Sequence, residues 1–491
     1  MPTLLTPMNS LVWFRSDLRT ADNHALSAAL RDPAAPGQTG RGVVGLFLLS
    51  PGEWTAHDFA PVKVEFILRT LADLSRGLDR LGIPLLIRRA ERPEQVAEAV
   101  LHAANDAGCD TIHFNREYEL NEAARDARLA ETGAAQRVRV FAHHDQCVVE
   151  PGAVRTQSGT PFTVFSPFKR RYFDVLRERG GARPLPVPSK PRARPSHIVP
   201  DPVPTSEPGW TSGVPAALWP AGAHEAQRRL DGFIEGRILR YKADRDTPAV
   251  DGTSTLSPYL TVGAISVRQC LAAALAANDG RLDTGHEGAV QWISELVWRD
   301  FYKHIVQAFP RVCRHRAFKM PTERIAWRTE DRELAAWKAG RTGFPIVDAA
   351  MRQLTQTGWM HNRLRMIAAM FLTKDLLIDW RLGERHFMLN LIDGDLASNN
   401  GGWQWSASTG TDAAPYFRIF NPTSQSRKCD PDGAFIRRFV PELAGVEGTA
   451  IHDPSTLPGL LRTTLDYAEP IVDHALARDR VMAAFKNISA A

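Results

Sequence analysis

Short apolar runs alternate with amphipathic stretches over the first 150 residues of the chain. The runs predict buried strands at residues 10–14, 43–50, 83–89 and 109–115. The amphipathic stretches between them predict helices at residues 22–30, 61–81 and 93–107. Strands that alternate with helices are typical of a doubly wound parallel sheet. We therefore expect an N-terminal α/β domain that ends near residue 150.

The pattern changes after this point. Residues 181–220 are rich in proline, which disfavours helices and strands and predicts an interdomain connection. We assign the whole linker to residues 151–220. From residue 221 onward apolar positions recur at helical spacing, and no alternating strand pattern appears. Pro345 stands where one helix should begin and Gly358 where it should end. Residues 221–491 should form a second, nearly all-α domain.

Composition limits the classes that the protein can belong to. The chain has 491 residues, of which 44% are hydrophobic and 23% charged, as in ordinary globular proteins. No apolar run approaches the roughly 18 residues that span a bilayer, and residues 1–10 lack the features of a signal peptide. Five scattered cysteines without a CxxC pair predict neither disulfides nor a zinc site. We expect a cytoplasmic protein that makes no contact with a membrane.

Charge is distributed unevenly along the chain. Residues 1–150 hold 16 Lys and Arg against 20 Asp and Glu, whereas residues 151–491 hold 44 against 35. If the protein binds a nucleic acid, the C-terminal part is the expected host. A solvated basic surface is the alternative that charge alone leaves open.

Several polar clusters in the second half could carry chemistry. Hydroxyl groups gather at Thr253, Ser254, Thr255 and Ser257, which suits a phosphate or pyrophosphate but also a plain helix cap. About one helical turn contains Glu295, Trp298 and Arg299. This arrangement suits a nucleobase pocket, and an amphipathic helix with a buried tryptophan is the alternative.

The segment DGDLASNNGGWQW at residues 393–405 carries the densest set of functional groups. Its carboxylates, asparagines, paired glycines and tryptophans suit a cradle for a flat, polar redox ring. A magnesium site is disfavoured because no third carboxylate accompanies Asp393 and Asp395, and a solvated helix cap remains the alternative. Asn362 and Met366 share a helix face, and Arg363 could bind a phosphate or a carboxylate.

These motifs together resemble one family. WFRSDLR at residues 13–19, TSTLSPYL, ELVWRDFY, TGWMHNRLRM, LLIDW and the long segment from Asp393 to Pro422 are similar, in the same order, to motifs of the DNA photolyase and cryptochrome family. The resemblance covers roughly residues 10–475 and is strongest to class I photolyases that repair cyclobutane pyrimidine dimers, of the bacterial folate-antenna type.

The resemblance implies a helical domain that holds FAD and repairs dimers in DNA by light-driven electron transfer. A dimer would be flipped out of the duplex to reach the cavity. The resemblance assigns FAD contacts to Tyr241, Thr253, Ser254, Thr255, Leu256, Ser257, Trp292, Glu295, Arg299, Asn362, Asp393, Gly394, Asp395 and Asn399. Asn399 would face the flavin N5, and metal is not expected.

The resemblance also assigns the lesion site, the DNA contacts and an electron relay. Catalytic positions would be Glu295, Trp298, Asn362, Met366, Asn399 and Trp405. Contacts with DNA would come from Arg245, Trp298, Arg363, Met366, Trp405, Arg418 and Gln425. A tryptophan relay from solvent to FAD would consist of Trp327, Trp380 and Trp403.

A second chromophore is implied in the N-terminal domain. Asn121 and Glu122 match positions that bind 5,10-methenyltetrahydrofolate, and Arg314 stands where the family has a lysine. Arginine keeps the charge but not the shape of lysine, which leaves weaker folate binding or another chromophore open. The expected partner is damaged DNA, and we expect a monomer.

Two other functions compete with repair. One is a cryptochrome-type blue-light receptor that binds FAD and repairs nothing, and the other is a flavin electron-transfer protein without photochemistry. Plant-type cryptochromes favour Asp where Asn399 stands, and (6-4) photolyases place histidines where Asn362 and Met366 stand. Glu295, Trp298, Met366 and Trp405 together favour repair, because a light receptor needs no dimer pocket.

Overall fold

A five-stranded parallel sheet organises the N-terminal domain. The computed structural model describes residues 8–33, 40–191, 193–195 and 197–489. Residues 1–7, which belong to the segment that lacks signal-peptide features, lie outside the described residues. The strands are β1 (Asn9–Phe14), β2 (Gly42–Leu49), β3 (Leu85–Arg89), β4 (Cys109–Asn115) and β5 (Arg139–His143). They lie in the order β3-β2-β1-β4-β5, and each neighbouring pair is parallel.

Helices cover both faces of this sheet. They are α1 (His24–Ala29), α2 (Pro51–Ala56), α3 (Pro61–Leu81), α4 (Val96–Asp106) and α5 (Leu120–Ala135). α1 and α3 pack with Val12 and Phe47 on one face, whereas α4 and α5 pack with Leu11 and Leu46 on the other. The predicted doubly wound α/β domain is confirmed.

Among its described residues, the stretch predicted as a linker contains one α-helix and a short 3-10 turn at Ala216–Leu218. α6 (Phe165–Glu178) packs against the helical domain, and the Tyr172 hydroxyl donates to Asp300 Oδ2 over 2.7 Å. The proline-rich part that follows runs along the edge of the sheet. There the Asp201 amide donates to the Leu85 carbonyl, and Glu207 pairs with Arg89 at 2.6 Å.

The remainder is helical, as predicted. Its helices are α7 (Ala223–Gly236), α8 (Tyr241–Asp244), α9 (Ser257–Val262), α10 (Val267–Ala276), α11 (Glu287–Ala308), α12 (Asp331–Ala339), α13 (Pro345–Thr357), α14 (Asn362–Met370), α15 (Trp380–Met388), α16 (Leu396–Ala407), α17 (Pro422–Cys429), α18 (Ala434–Phe439), α19 (Gly459–Thr463) and α20 (His474–Ser489). A π-helical turn at Phe371–Asp375 separates α14 from α15. Within residues 221–489 the described chain forms no strand.

α11 lies at the centre of the helical domain. It is 22 residues long, and it contacts α8, α10, α16 and α6. Its side chains belong to the same core that extends under α3 of the N-terminal domain. A second core surrounds α13, α14 and α15. Among the described helices, none is both long and apolar enough to cross a membrane.

Candidate cofactor and substrate site

A cavity of about 540 Å³ opens between α11, α14 and α16. Its size is in the range of small-molecule and cofactor sites. Sixteen of the predicted site residues line it, from four separate segments of the chain: Tyr241, Arg245, Ser254, Leu256, Ser257, Trp292, Glu295, Trp298, Arg299, Asn362, Met366, Asp393, Asp395, Asn399, Trp403 and Trp405.

Other predicted site residues lie outside the lining of this cavity. They are Thr253, Thr255, Arg363, Gly394, Arg418, Gln425, Trp327 and Trp380. Thr255 has φ 49°. Its hydroxyl accepts a hydrogen bond from Arg229 over 2.9 Å, so this group bonds within the protein and does not face the cavity. Arg418 is exposed and Gln425 half-buried on the surface of the helical domain.

Asp393 and Asp395 each have a basic partner. Asp393 accepts two bonds from Arg365 Nη2, at 2.8 and 3.0 Å. Asp395 caps α16 by accepting from the Ser398 amide at 2.9 Å, and it accepts from Lys303 Nζ at 2.7 Å. Burial alone would raise the pKa of Asp395, but Lys303 and Arg299 hold that pKa well below its ordinary value. Asp395 is therefore ionised at neutral pH.

Lys303 also joins the two domains. Its side chain is 3% exposed, and its ammonium group contacts Glu119 Oε1 at 2.5 Å as well as Asp395. Glu119 comes directly before α5 of the N-terminal domain, and Asp395 begins α16. Sequence reasoning missed Lys303, because a lysine in an amphipathic helix gives no sign of partners that lie 92 and 184 positions away.

Two tryptophans, Trp298 and Trp405, and the carboxylate of Glu295 also line the cavity. Trp298 stacks on Phe165 with ring centroids 3.6 Å apart and planes at 8°. Glu295 accepts hydrogen bonds from Arg245 and, at 2.8 Å, from Gln291. Trp405 and Met366 line the same cavity, and Met366 follows Asn362 by one turn of α14.

Arg363 is held beside this cavity by an acid. Its guanidinium contacts Asp246 through Nε at 3.2 Å and Nη2 at 2.7 Å. Asp246 follows Arg245 directly in the chain. Two arginines predicted to contact phosphate are thus paired with carboxylates in the DNA-free protein.

The three relay candidates differ in exposure. Trp403 is 2% exposed and lines the cavity, Trp380 is fully buried, and Trp327 is half-buried between two apolar clusters. A Cβ at Gly383 would lie 2.1 Å from the Trp403 ring, so only glycine lets α15 approach this indole. Trp337, which sequence reasoning did not single out, contacts Trp403 with centroids 6.0 Å apart.

A second cavity of about 150 Å³ lies between the two domains. Asn121 and Glu122 line it, as do Cys313 and His315, but the exposed Arg314 between them does not. Asn121 Nδ2 donates to His57 Nε2 at 3.2 Å, and His57 Nδ1 lies 3.3 Å from Glu122 Oε1. Burial, aided by Glu119 and Glu117, raises the pKa of Glu122 to about 8. Burial also lowers the pKa of His57, so the pair is neutral at pH 7.

The two cavities share part of their walls. Thr261, Arg299 and Asp395 line both of them. No group of three or more His, Cys, Asp or Glu side chains that could hold a metal ion occurs in the part of the chain that the structure describes.

An α/β domain is thus joined to a helical domain that contains a polar and aromatic cavity, as in a two-domain cofactor-binding protein. Residues 292–487 match the family profile of the FAD binding domain of DNA photolyase, and residues 10–189 match that of DNA photolyase. The chain belongs to the DNA photolyase family.

Relatives match over nearly their full lengths. The deoxyribodipyrimidine photo-lyase of Salmonella typhimurium is 45% identical over 477 residues, which is 97% of this chain and 98% of that protein. The deoxyribodipyrimidine photo-lyase of Escherichia coli is 44% identical with the same coverage. A crystal structure of a class III photolyase from Agrobacterium tumefaciens superposes with a TM-score of 0.85, at 34% identity and over all of both chains.

Proposed function

We propose that the chain is a light-driven lyase that splits cyclobutane pyrimidine dimers in DNA. The single observation that carries this proposal is one cavity with two chemically different parts. Asp393, Asp395 and Asn399 provide carboxylate and amide groups, whereas Trp298 and Trp405 provide aromatic walls. Two curated relatives that are named deoxyribodipyrimidine photo-lyase and match almost end to end support the same activity.

The polar part of the cavity fits FAD. Hydroxyls of Ser254 and Ser257 lie close to the start of α9, where backbone N–H groups favour phosphates. Gly402 lines the cavity, and a Cβ there would meet nothing within 4 Å, so its backbone is open to a flat ring. When bound and reduced, FAD supplies an electron on excitation and recovers it after the ring of the dimer has opened.

Asn399 would serve the flavin through an amide that is already oriented. Its Nδ2 donates to the Glu384 carbonyl at 2.9 Å, which fixes the side chain on α16. Asp393 and Asp395 would accept hydrogen bonds from the ring and its substituents, because Arg365 and Lys303 hold these two acceptor groups in place. Arg299, whose Nη1 donates to the Gln146 carbonyl at 2.6 Å, would contribute positive charge nearby.

The lesion would enter on the aromatic side. Base chemistry requires the target to leave the stack, and this costs least for a damaged base. Trp298 and Trp405 would form walls against the exposed bases, with Met366 and Asn362 beside them. Glu295 would hydrogen-bond the flipped dimer.

Binding of DNA would draw on the basic surface of the helical domain. Arg245, Arg363 and Arg418 would contact phosphates, and Gln425 would lie at the edge of the duplex. Each lost phosphate contact should reduce the salt dependence of binding. We infer a monomer that works in the cytoplasm with its DNA.

Electrons for activation of the cofactor would pass along Trp327, Trp380 and Trp403. The gradient from a half-buried to a fully buried indole supports a chain that starts at the surface. We assign the chain to class I because its motifs resemble this class.

The cavity between the domains would hold a folate antenna. Asn121 and Glu122 support 5,10-methenyltetrahydrofolate, since both line the cavity next to His57. Arg314 lies outside this lining, so Cys313 and His315 are better placed to contact the chromophore. The side chains would need to rearrange, because about 150 Å³ is small for a folate.

One experiment tests the proposed activity against the light-receptor alternative. The purified, reduced protein is mixed with duplex DNA that contains pyrimidine dimers, and the mixture is exposed to near-UV or blue light. We expect the dimers to disappear in the light and to persist in the dark. Persistence of the dimers in the light, with FAD bound, would refute repair.

A further inference from the structure

The Glu295 carboxylate accepts hydrogen bonds from two side chains that differ in how readily they can move away from it. Arg245 Nη1 and Gln291 Nε2 both bond to Oε1 of the carboxylate, and the Gln291 bond is 2.8 Å long. No hydrogen bond to Oε2 occurs within the described residues. Since a carboxylate only accepts, the Gln291 amide must turn its nitrogen toward Glu295.

Arg245 is the donor that can move away. It follows the short helix α8, its side chain is 18% exposed, and it lies 3.7 Å from Asp246, which competes for it. Under the proposed function a DNA phosphate would compete as well, and a guanidinium binds phosphate bidentately. Glu295 would then lose one of its two donors when DNA arrives.

Gln291 is the donor that stays. It lies one turn before Glu295 on α11, the long central helix, so its distance from the carboxylate is set by the helix. Gln291 is half-buried and lines the same cavity as Glu295. A neutral amide has no preference for phosphate that would draw it toward the DNA.

We propose that Gln291 is a positioning residue that keeps Glu295 oriented toward the dimer after Arg245 has moved to the DNA backbone. The inference rests on the proposed repair function and adds a residue to it. In the DNA-free protein the two donors share one carboxylate oxygen. In the complex Gln291 alone would hold Oε1, which leaves Oε2 for the pyrimidine.

The test replaces Gln291 with methionine, which has a similar size but lacks the donor. Gln227→Met is the matched control, because Gln227 donates the same kind of bond, at 2.8 Å, to Asp231 one turn later on α7. Gln227 occupies an exposed position of that helix. For each protein two quantities are measured: the dissociation constant for dimer-containing DNA in the dark, and the dimers split per flash at saturating DNA. Flavin absorbance reports whether the cofactor site is intact.

We expect Gln291→Met to lower the yield per flash roughly three- to tenfold, which is the net value of one hydrogen bond. Its dissociation constant should change by less than about twofold, and Gln227→Met should match the wild type in both quantities. An unchanged yield would overturn the proposal, and so would a yield that falls only together with flavin content or DNA affinity. Failure of the wild-type protein to repair would instead refute the proposed function itself.

Discussion

Phe165 covers one face of Trp298, and the two rings are nearly parallel with their centroids 3.6 Å apart. Phe165 opens α6, in the segment between the two domains, whereas Trp298 lies on α11 and lines the main cavity. The backbone amide of Phe165 also donates to Asp412 Oδ2 at 3.2 Å, in the loop after α16. A residue outside the helical domain therefore supports one wall of the candidate lesion site.

Phe165→Leu should weaken binding of dimer-containing DNA roughly three- to tenfold, because an aromatic pair contributes about 0.5–1.5 kcal/mol beyond its buried area. Binding of undamaged DNA and of FAD should not change. Fluorescence anisotropy with damaged and undamaged duplexes measures the effect. Phe173→Leu, at another buried position of α6, is the control for lost packing, and equal losses in the two variants would contradict this role.

Glu295→Ala should reduce the dimers split per flash by roughly tenfold or more, since a hydrogen bond to a charged group is worth about 1.5–3 kcal/mol. FAD should remain bound, because the carboxylates of Asp393 and Asp395 are untouched. Flash photolysis at saturating DNA measures the yield. Glu287→Ala, on an exposed position at the start of the same helix, is the control. An undiminished yield would remove Glu295 from the reaction.

Trp327→Phe should slow photoreduction of the flavin severalfold and spare repair by chemically reduced protein. Phenylalanine fills most of the same space but is much harder to oxidise than an indole. The rate of flavin bleaching under blue light with an external reductant measures photoreduction. Trp210→Phe is the matched control, since Trp210 is also half-buried but packs against Trp54, away from the candidate relay. Normal bleaching in Trp327→Phe would exclude it from the relay.

Elements with local signals at both ends could be predicted from the sequence. α3 begins at Pro61 and ends before Gly82, which has φ 75°, so its bounds agree with the apolar pattern. α13 begins at Pro345 and ends before Gly358 for the same reason. The edge strand β5 was not predicted, because its exposed positions break the apolar run that marks a buried strand.

The candidate site could be predicted only where its residues share one element. The spacing of Glu295, Trp298 and Arg299 on α11 brings them to one cavity, and the same holds for Asn362 and Met366 on α14. Contacts between distant segments gave no signal of this kind. Phe165 against Trp298 depends on how α6 packs across the domain boundary, which no local pattern encodes.

Glu122→Gln should stabilise the cofactor-free protein, and increasingly so as the pH rises. Burial, with Glu119 and Glu117 nearby, raises the pKa of Glu122 to about 8 in the folded protein. In the unfolded chain a glutamate has a pKa of about 4.3, so between these values unfolding releases a proton and stability falls with rising pH. Glutamine cannot ionise, so the stability of Glu122→Gln does not fall with pH for this reason.

The measurement is the thermal unfolding midpoint of both proteins, freed of FAD and antenna, at several values between about pH 5 and pH 10. The midpoint of Glu122→Gln should exceed that of the wild type by the smallest amount at the acidic end. This advantage should grow with pH and level off above the folded pKa of about 8. Glu131→Gln, at an exposed position of the same helix, should show no such trend. An advantage that stays constant with pH, or that grows toward acid, would mean that Glu122 is ionised in the folded protein. The neutral pairing with His57 would then be wrong.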